Sequence, residues 1–324
     1  MKQFCKHTAQ ILCFVAGLLA IVIAIEPFLT PKDNTEVAGV LSERAYGFLT
    51  EPENSLDVLV FGDSEGYRAF IPLQIWEEYG ITSYICCTSG QQMYQTEKIL
   101  TAALENQKPK YVFLETNMLY RHAKYTDILK EKLYDLLPTL RYHDHWKHLT
   151  KADFTGEVNY THREAFKGYA YHGNTVAAEN LDHMKADKGE TKISSYSLKM
   201  LDELHEICEE NGVELVLIST PSTKNWNTKR HNHVEKLADE KGITYIDMNL
   251  YTDEIDIDWS SDTFDGGDHM NYSGAVKCTH YLGEYLYETG NLADHRSDAD
   301  LAEEWNADLA EFKRYIASKQ ETQT

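Results

Sequence analysis

Two polar segments far apart in the sequence contain residue types that could together transfer an acyl group. Gly62-Asp63-Ser64 directly follows an apolar run at residues 56–61, and Ser64 offers a hydroxyl nucleophile. His269 lies in the segment Asp265-Gly266-Gly267-Asp268-His269. An imidazole that a carboxylate orients can take the proton of a serine hydroxyl near neutral pH. We therefore expect Ser64 to be a nucleophile and His269 to be its general base.

Two carboxylates precede His269 closely enough to orient its ring. Asp265 lies four residues before the histidine and Asp268 lies one residue before it. Side chains of adjacent residues seldom face each other, so we expect Asp265 to orient His269. Asp268 remains the alternative.

Hydrogen-bond donors for an oxyanion are expected near Ser64. Gly90 follows an apolar run at residues 82–87, and Asn117 follows another at residues 111–115. The backbone N–H groups of Ser64 and Gly90 and the side-chain amide of Asn117 could point at one position. Each donor of such an oxyanion hole contributes about 3–4 kcal/mol to transition-state stabilisation in comparable enzymes.

The elements that must position these residues alternate between strand and helix. Short runs rich in apolar and β-branched residues predict five strands, at residues 56–61, 82–87, 111–115, 213–219 and 243–247. Helical patterns are predicted at residues 73–79, 92–106, 194–211, 231–241, 274–288 and 299–318. Such alternation is typical of an α/β fold with a parallel sheet. Ligands bind such sheets at the carboxyl ends of the strands, which is where Ser64, Gly90, Asn117 and His269 follow.

The alternation lapses between about residues 120 and 191, which predicts a partly helical insertion. His145 and Trp146 in this stretch are candidate substrate contacts, with a surface or packing role as the alternative. Asn225 and Trp226 follow the fourth strand, and an aromatic ring beside amides suits a sugar. Burial of the Trp226 ring in the core is the alternative interpretation.

The N-terminus predicts a membrane segment. Lys2 and Lys6 precede an uncharged apolar run at residues 11–25, which with its flanks approaches the roughly 20 residues that a membrane span needs. Positive charge before the span predicts a cytoplasmic N-terminus and an extracytoplasmic remainder. We expect residues 1–30 to be an anchor, although Val22-Ile23-Ala24 leaves a cleaved signal sequence open. Residues 31–54 would form a linker and residues 55–324 one catalytic domain.

Composition excludes several classes of function. The net charge of −21, from 31 basic and 52 acidic residues, argues against a nucleic-acid partner. The six cysteines contain no Cys-x-x-Cys pair, so neither a zinc site nor a dithiol redox site is expected. Whether the adjacent Cys86 and Cys87 form a disulfide stays open.

With Gly62-Asp63-Ser64, Gly90, Asn117 and the Asp265–His269 turn in this order, the chain resembles the SGNH (GDSL-type) hydrolase superfamily. The resemblance implies a flavodoxin-like three-layer α/β/α sandwich and an oxyanion hole built from Ser64, Gly90 and Asn117. Two departures stand out: Gly266 occupies the position three before the histidine where the family has Asp, and Glu115 replaces the glycine of the Gly-x-Asn-Asp block.

The resemblance also implies a function. It implies a serine esterase or O-acyltransferase without a cofactor or metal, and tethered members act on acetyl groups of cell-wall or secreted polysaccharides. Some work beside a membrane-bound O-acyltransferase, which is a possible partner here. The alternative is a non-catalytic, membrane-tethered carbohydrate-binding or scaffold protein that kept the fold.

Overall fold

A five-stranded parallel sheet organises the chain in the computed structural model, which describes residues 2–289 and 291–321. The strands are β1 (Val58–Phe61), β2 (Ser83–Ile85), β3 (Tyr111–Glu115), β4 (Glu214–Ser219) and β5 (Thr244–Asp247). Their spatial order is β2-β1-β3-β4-β5 and every neighbouring pair is parallel. This is the flavodoxin-like order, so the predicted fold class is confirmed.

Eleven α-helices are described along the chain. They are α1 (Lys2–Leu29), α2 (Ser64–Ala69), α3 (Pro72–Tyr79), α4 (Met93–Asn106), α5 (Tyr125–Leu136), α6 (Pro138–Arg141), α7 (Lys151–Thr155), α8 (Ser195–Glu210), α9 (Thr228–Lys241), α10 (Tyr272–Thr289) and α11 (Ala299–Glu321). Short 3₁₀ segments lie at Glu36–Ala38, Gly47–Thr50, Thr116–Tyr120, His143–His148, Met248–Leu250 and His295–Ser297. Helix α2, which begins at Ser64, was not predicted, because six residues are too short to show a helical period.

Alternation along the strands divides the core into two layers. Leu59 and Val112 face the side covered by α4, α8 and α9. Val60 and Phe113 face the side covered by α2 and α10. Because both faces of the sheet are covered, β1, β2 and β3 are buried along their whole length, and each reads as a nearly continuous apolar run.

The chain divides into two compact units. The larger consists of Arg44–His122 and Arg163–Thr324 and contains the sheet, and the smaller consists of Met1–Glu43 and Ala123–His162. The predicted insertion of about residues 120–191 is therefore shared between the units, and residues 31–43 of the predicted linker belong to the smaller one.

Helix α1 belongs to the smaller unit. Its stretch Lys6–Leu29 has a mean hydropathy of 2.5, and none of its most apolar window is buried. By length and composition this helix could cross a membrane, and a signal sequence meets the same criterion.

Candidate active site

Ser64, His269 and Asp265 form a continuous chain of hydrogen bonds in the larger unit. The Oγ of Ser64 lies 2.7 Å from Nε2 of His269, and Nδ1 of His269 lies 2.6 Å from Oδ2 of Asp265. When Nδ1 carries the ring proton and donates a hydrogen bond to Asp265, Nε2 can accept a hydrogen bond from the Ser64 hydroxyl. The side chain of His269 is 16% exposed, so the three residues are reachable from solvent. This arrangement can activate a serine as a nucleophile.

Two consecutive glycines explain why the orienting carboxylate lies four residues before the histidine. Gly266 and Gly267 have φ angles of +80° and +95°, which L-residues rarely adopt. The turn brings Oδ1 of Asp265 within 2.9 Å of the His269 backbone N–H and 3.2 Å of the Asp268 N–H. A Cβ at residue 267 would lie 2.0 Å from Oγ1 of Thr223, so the turn also needs glycine for space.

Ring stacking fixes the plane of the His269 imidazole. Phe264 stacks on His269 at a centroid distance of 5.5 Å and on His172 at 3.7 Å, both at an interplanar angle of 17°. The Arg68 guanidinium lies 5.3 Å from the centre of the Phe264 ring. Burial and the charge of Arg68 lower the pKa of His172, which favours its neutral form beside His269. Phe264 and His172 could not be identified from the sequence, because nothing local connects their positions to His269.

Asp268 lies beside the imidazole but makes its hydrogen bond elsewhere. Its Oδ2 is 3.7 Å from Nδ1 of His269, which is beyond a hydrogen bond, and its Oδ1 accepts from the amide of Asn225. Burial raises the pKa of Asp268, against the opposing charge of His269. Asp265 is therefore hydrogen-bonded to the ring of His269 and Asp268 is not.

A buried acid that the sequence did not indicate follows the serine directly. Glu65 is 3% exposed, and its Oε1 accepts from Asn225 Nδ2 at 2.7 Å and from Asn117 Nδ2 at 3.3 Å. Its Oε2 lies 3.3 Å from the hydroxyl oxygen of Thr220, which donates to the ionised acid and can accept from the protonated one. Burial raises the pKa of Glu65 well above its ordinary value, and the charges of Glu115 and Asp63 add to the shift. The neutral form of Glu65 is therefore favoured.

Glu115, at the end of β3, is another buried acid at this edge of the sheet. Burial and the charge of Asp63 raise its pKa well above the ordinary value. A Cβ on residue 62 would lie 2.5 Å from Cβ of Glu115, so Gly62 is what allows this side chain to pack beneath the Ser64 turn. A carboxylate that closes an otherwise apolar strand is the sequence signal that could have identified it.

The Asn117 side chain is held within this network. Its Nδ2 donates to Asp63 Oδ2 at 3.2 Å as well as to Glu65, and its Oδ1 accepts from Arg230 at 2.8 Å. The Nε of Arg121 donates to Asp63 at 2.5 Å. The amide donor of Asn117 is thus engaged by carboxylates, whereas the sequence predicted it to be free for an oxyanion.

Gly90 has a φ of +62° in the turn that follows β2. A Cβ built at this position would come no closer than 3.9 Å to another side chain, that of Arg121. The turn is therefore open on this side, and Gly90 is needed here for its conformation rather than for space.

The predicted substrate contacts differ in their surroundings. Trp226 is 2% exposed, and its Nε1 donates to Asp247 at 2.8 Å, so no face of the ring is available to stack on a sugar. His145 and Trp146 belong to the smaller unit: His145 is buried, with Nε2 3.0 Å from Asp153 Oδ1, whereas Trp146 is 62% exposed. Burial of Trp226 and the pairing of His145 favour the packing roles that the sequence left as alternatives.

Neither a cation site nor a reactive thiol is indicated among the residues that the structure describes here. Asp265, Asp268 and His269 lie close enough together to hold a cation, but both ring nitrogens of the histidine already have partners. Cys86 and Cys87 are buried free thiols, and burial raises the pKa of both well above the ordinary value, which makes them unreactive.

Comparison with known proteins finds similarity among solved structures. No family model and no curated protein matches the chain. It is similar to a GDSL-like lipase from Bacteroides thetaiotaomicron (12% identity, 71% of this chain and 87% of that one, TM-score 0.35). It is also similar to a lipase/acylhydrolase from Enterococcus faecalis (10%, 72% and 96%, TM-score 0.38) and to a catalytic mutant of an acetylxylan esterase from Geobacillus stearothermophilus (12%, 75% and 98%, TM-score 0.39).

Proposed function

We propose that this chain is a serine-dependent acyl-ester hydrolase or O-acyltransferase of the SGNH type. The observation that carries the proposal is the hydrogen-bonded chain from Ser64 through His269 to Asp265, with distances of 2.7 and 2.6 Å. Three side chains that are up to 205 residues apart in sequence meet in the geometry that activates a serine hydroxyl.

The reaction follows in two steps. Nε2 of His269 takes the proton of Ser64 while Oγ attacks the carbonyl carbon of an ester, and Asp265 stabilises the imidazolium that forms. The tetrahedral intermediate expels the alcohol, which receives the proton from His269, and an acyl-serine remains. Water or a sugar hydroxyl then gives its proton to His269 as it attacks the acyl carbon. The bond to Oγ breaks, and His269 returns the proton to Oγ, which restores Ser64.

The backbone N–H groups of Ser64 and Gly90 are the oxyanion donors in this proposal. Ser64 is the first residue of α2, where the N–H groups have no partner within the helix. The side chain of Asp63 accepts from the Glu65 N–H at 3.0 Å, which leaves the Ser64 N–H for the substrate. Asn117 holds the residues on either side of Ser64 in place, through its hydrogen bonds to Asp63 and Glu65.

The proposed substrate is an acetylated cell-wall or secreted polysaccharide, and the proposed location is the outer face of a membrane to which α1 anchors the chain. A protein fixed at the membrane would meet polymers as they leave the cell, and a membrane-bound O-acyltransferase could supply the acyl group. The long apolar stretch of α1 supports the anchor.

The test is labelling of the full-length protein in detergent with a fluorophosphonate, together with hydrolysis of p-nitrophenyl acetate. We expect the wild type to label and turn over, and Ser64→Ala and His269→Ala to lose both signals while the circular dichroism spectrum is unchanged. Ser89→Ala is the matched control, because this exposed serine follows the neighbouring strand β2 and should not matter. If the folded wild type neither labels nor turns over, the protein is a non-catalytic binding or scaffold protein.

A further inference from the structure

The smaller unit exposes far more apolar surface than the larger one. Apart from α1, residues 123–162 expose nine large hydrophobic side chains, whereas the described part of the whole larger unit exposes five. The nine are Tyr125, Leu129, Leu133, Leu136, Trp146, Leu149, Phe154, Val158 and Tyr160. Concentration of exposed apolar surface in a short segment marks a binding surface.

Helix α5 presents part of this surface as a regular stripe. Tyr125, Leu129, Leu133 and Leu136 follow one another at spacings of four, four and three residues, and each is between 46% and 75% exposed. This spacing places them on one face of a helix. No residue of α5 is buried, so the stripe is not needed for the core of the unit. Lys132 borders the stripe, where a long stem can lie along apolar surface while its charge stays in water.

The same segment packs against α1, the candidate membrane span. The hydroxyl of Thr139 in α6 donates to the backbone carbonyl of Val22 at 2.7 Å, and the rings of Phe28 and Phe154 are 5.7 Å apart. Val22 lies seven residues before the end of α1, which corresponds to roughly 10 Å along a helix. Interfacial helices bury their apolar face by about 5–10 Å, so α6 lies at a suitable depth for an interface.

The two units also differ in net charge. Residues 1–43 and 123–162 carry nine Lys or Arg and ten Asp or Glu, so the smaller unit is nearly neutral while the chain has a net charge of −21. The acidic excess therefore lies almost wholly in the larger unit. An anionic lipid surface would repel the larger unit but not the smaller one.

We propose that α5, α6 and α7 lie in the headgroup region of the membrane leaflet from which α1 emerges, with the α5 stripe facing the acyl chains. The occupant of the exposed apolar surface is thus lipid. Aromatic residues such as Tyr125 and Trp146 suit this depth, because an amphipathic ring is favoured at the membrane–water boundary. The inference rests on α1 being the retained anchor of the proposed function.

Site-specific fluorescence in lipid vesicles tests this placement. In the full-length protein, Cys5→Ala and Cys13→Ala are combined with one introduced cysteine per variant, which is labelled with an environment-sensitive dye. The other four native cysteines are buried and should not react with the dye. Vesicles of phosphatidylcholine and phosphatidylglycerol contain lipids with nitroxide quenchers. Leu129→Cys and Leu133→Cys report on the stripe, Leu18→Cys reports on the span, and Asp127→Cys is the matched control. Asp127 lies on the same helix, roughly 160° around the axis from Leu129.

We expect the dyes at Leu129 and Leu133 to shift to shorter emission wavelengths and to be quenched by the nitroxide lipids, while the dye at Asp127 stays aqueous. If only the Leu18 dye is quenched, the anchor is inserted but the stripe does not bind lipid, and the inference fails while the proposed anchoring stands. If the Leu18 dye is aqueous as well, the anchoring fails and the inference fails with it. Stripe dyes that are aqueous in vesicles but shielded in native membranes would instead show that a protein covers the surface, which also overturns the proposal.

Discussion

Replacement of the two candidate carboxylates by asparagine separates their roles. In Asp265→Asn, the two backbone N–H groups of Asp268 and His269 need an acceptor, so the amide oxygen stays where Oδ1 is now. The amide nitrogen then replaces Oδ2 and points at Nδ1 of His269, at a distance of 2.6 Å in the wild type. Because an amide nitrogen only donates, Nδ1 must accept, and the ring proton moves to Nε2. The ring can then no longer accept the Ser64 proton.

The expected losses differ by about two orders of magnitude. The wrong tautomer removes general-base catalysis and the stabilising carboxylate together, which costs about 10³- to 10⁴-fold in kcat, or about 4–5.5 kcal/mol. In Asp268→Asn no hydrogen bond to the ring is lost, because Oδ2 is 3.7 Å from Nδ1. What is lost is the attraction of a half-buried charge for the imidazolium, roughly 1–2 kcal/mol, which is a factor of about five to thirty.

The assay is kcat for p-nitrophenyl acetate in the full-length protein, with the rate of fluorophosphonate labelling as a second readout. Both variants should keep the wild-type circular dichroism spectrum, since each asparagine retains an acceptor oxygen. An Asp268→Asn variant as damaged as Asp265→Asn would show that Asp268 shares or holds the orienting role. Losses below about tenfold in both would refute the proposed activation of Ser64 through His269, because a carboxylate that orients the base should be worth far more.

Two further predictions concern buried charge. Because burial raises the pKa of Glu65, the folded state binds the carboxyl proton of Glu65 more tightly than the unfolded state does. The contribution of protonated Glu65 to stability is therefore complete below the ordinary pKa of 4.5, and it is lost as the pH rises through the pKa of the folded state. The neutral variant Glu65→Gln, whose amide can donate to Thr220, should therefore have a higher Tm than the wild type, and the difference should grow from pH 5 to pH 9. A variant that is destabilised equally at every pH would show that Glu65 is ionised. Lys167 is fully buried, with Nζ 2.7 Å from Glu51 and 2.9 Å from Asp308, so Lys167→Met should lower the free energy of unfolding by about 3–5 kcal/mol. The exposed control Lys199→Met should cost less than about 1 kcal/mol in the same urea titration, and equal losses would contradict the argument.

The fold was largely predictable from the sequence, because strands buried on both faces and helices with one apolar face have local periodic patterns. The observed β3 has the predicted bounds, and every bound of the other strands lies within two residues of its prediction. Parallel topology follows from the alternation of strand and helix. It then places the polar residues that follow each strand at one edge of the sheet, which is why Ser64 and His269 could be paired from the sequence.

Only the tertiary structure decided how the site is assembled. The choice between Asp265 and Asp268 depends on the turn that two glycines of positive φ make. The burial of Trp226 and the engagement of the Asn117 amide depend on partners that approach from other strands and helices. The sequence allowed each residue to be assigned to an element because secondary structure is local. Burial, pKa and hydrogen-bond partners are set by atoms of other elements, from 21 residues away for Trp226 and Asp247 to 205 for Ser64 and His269, which one chain segment cannot reveal.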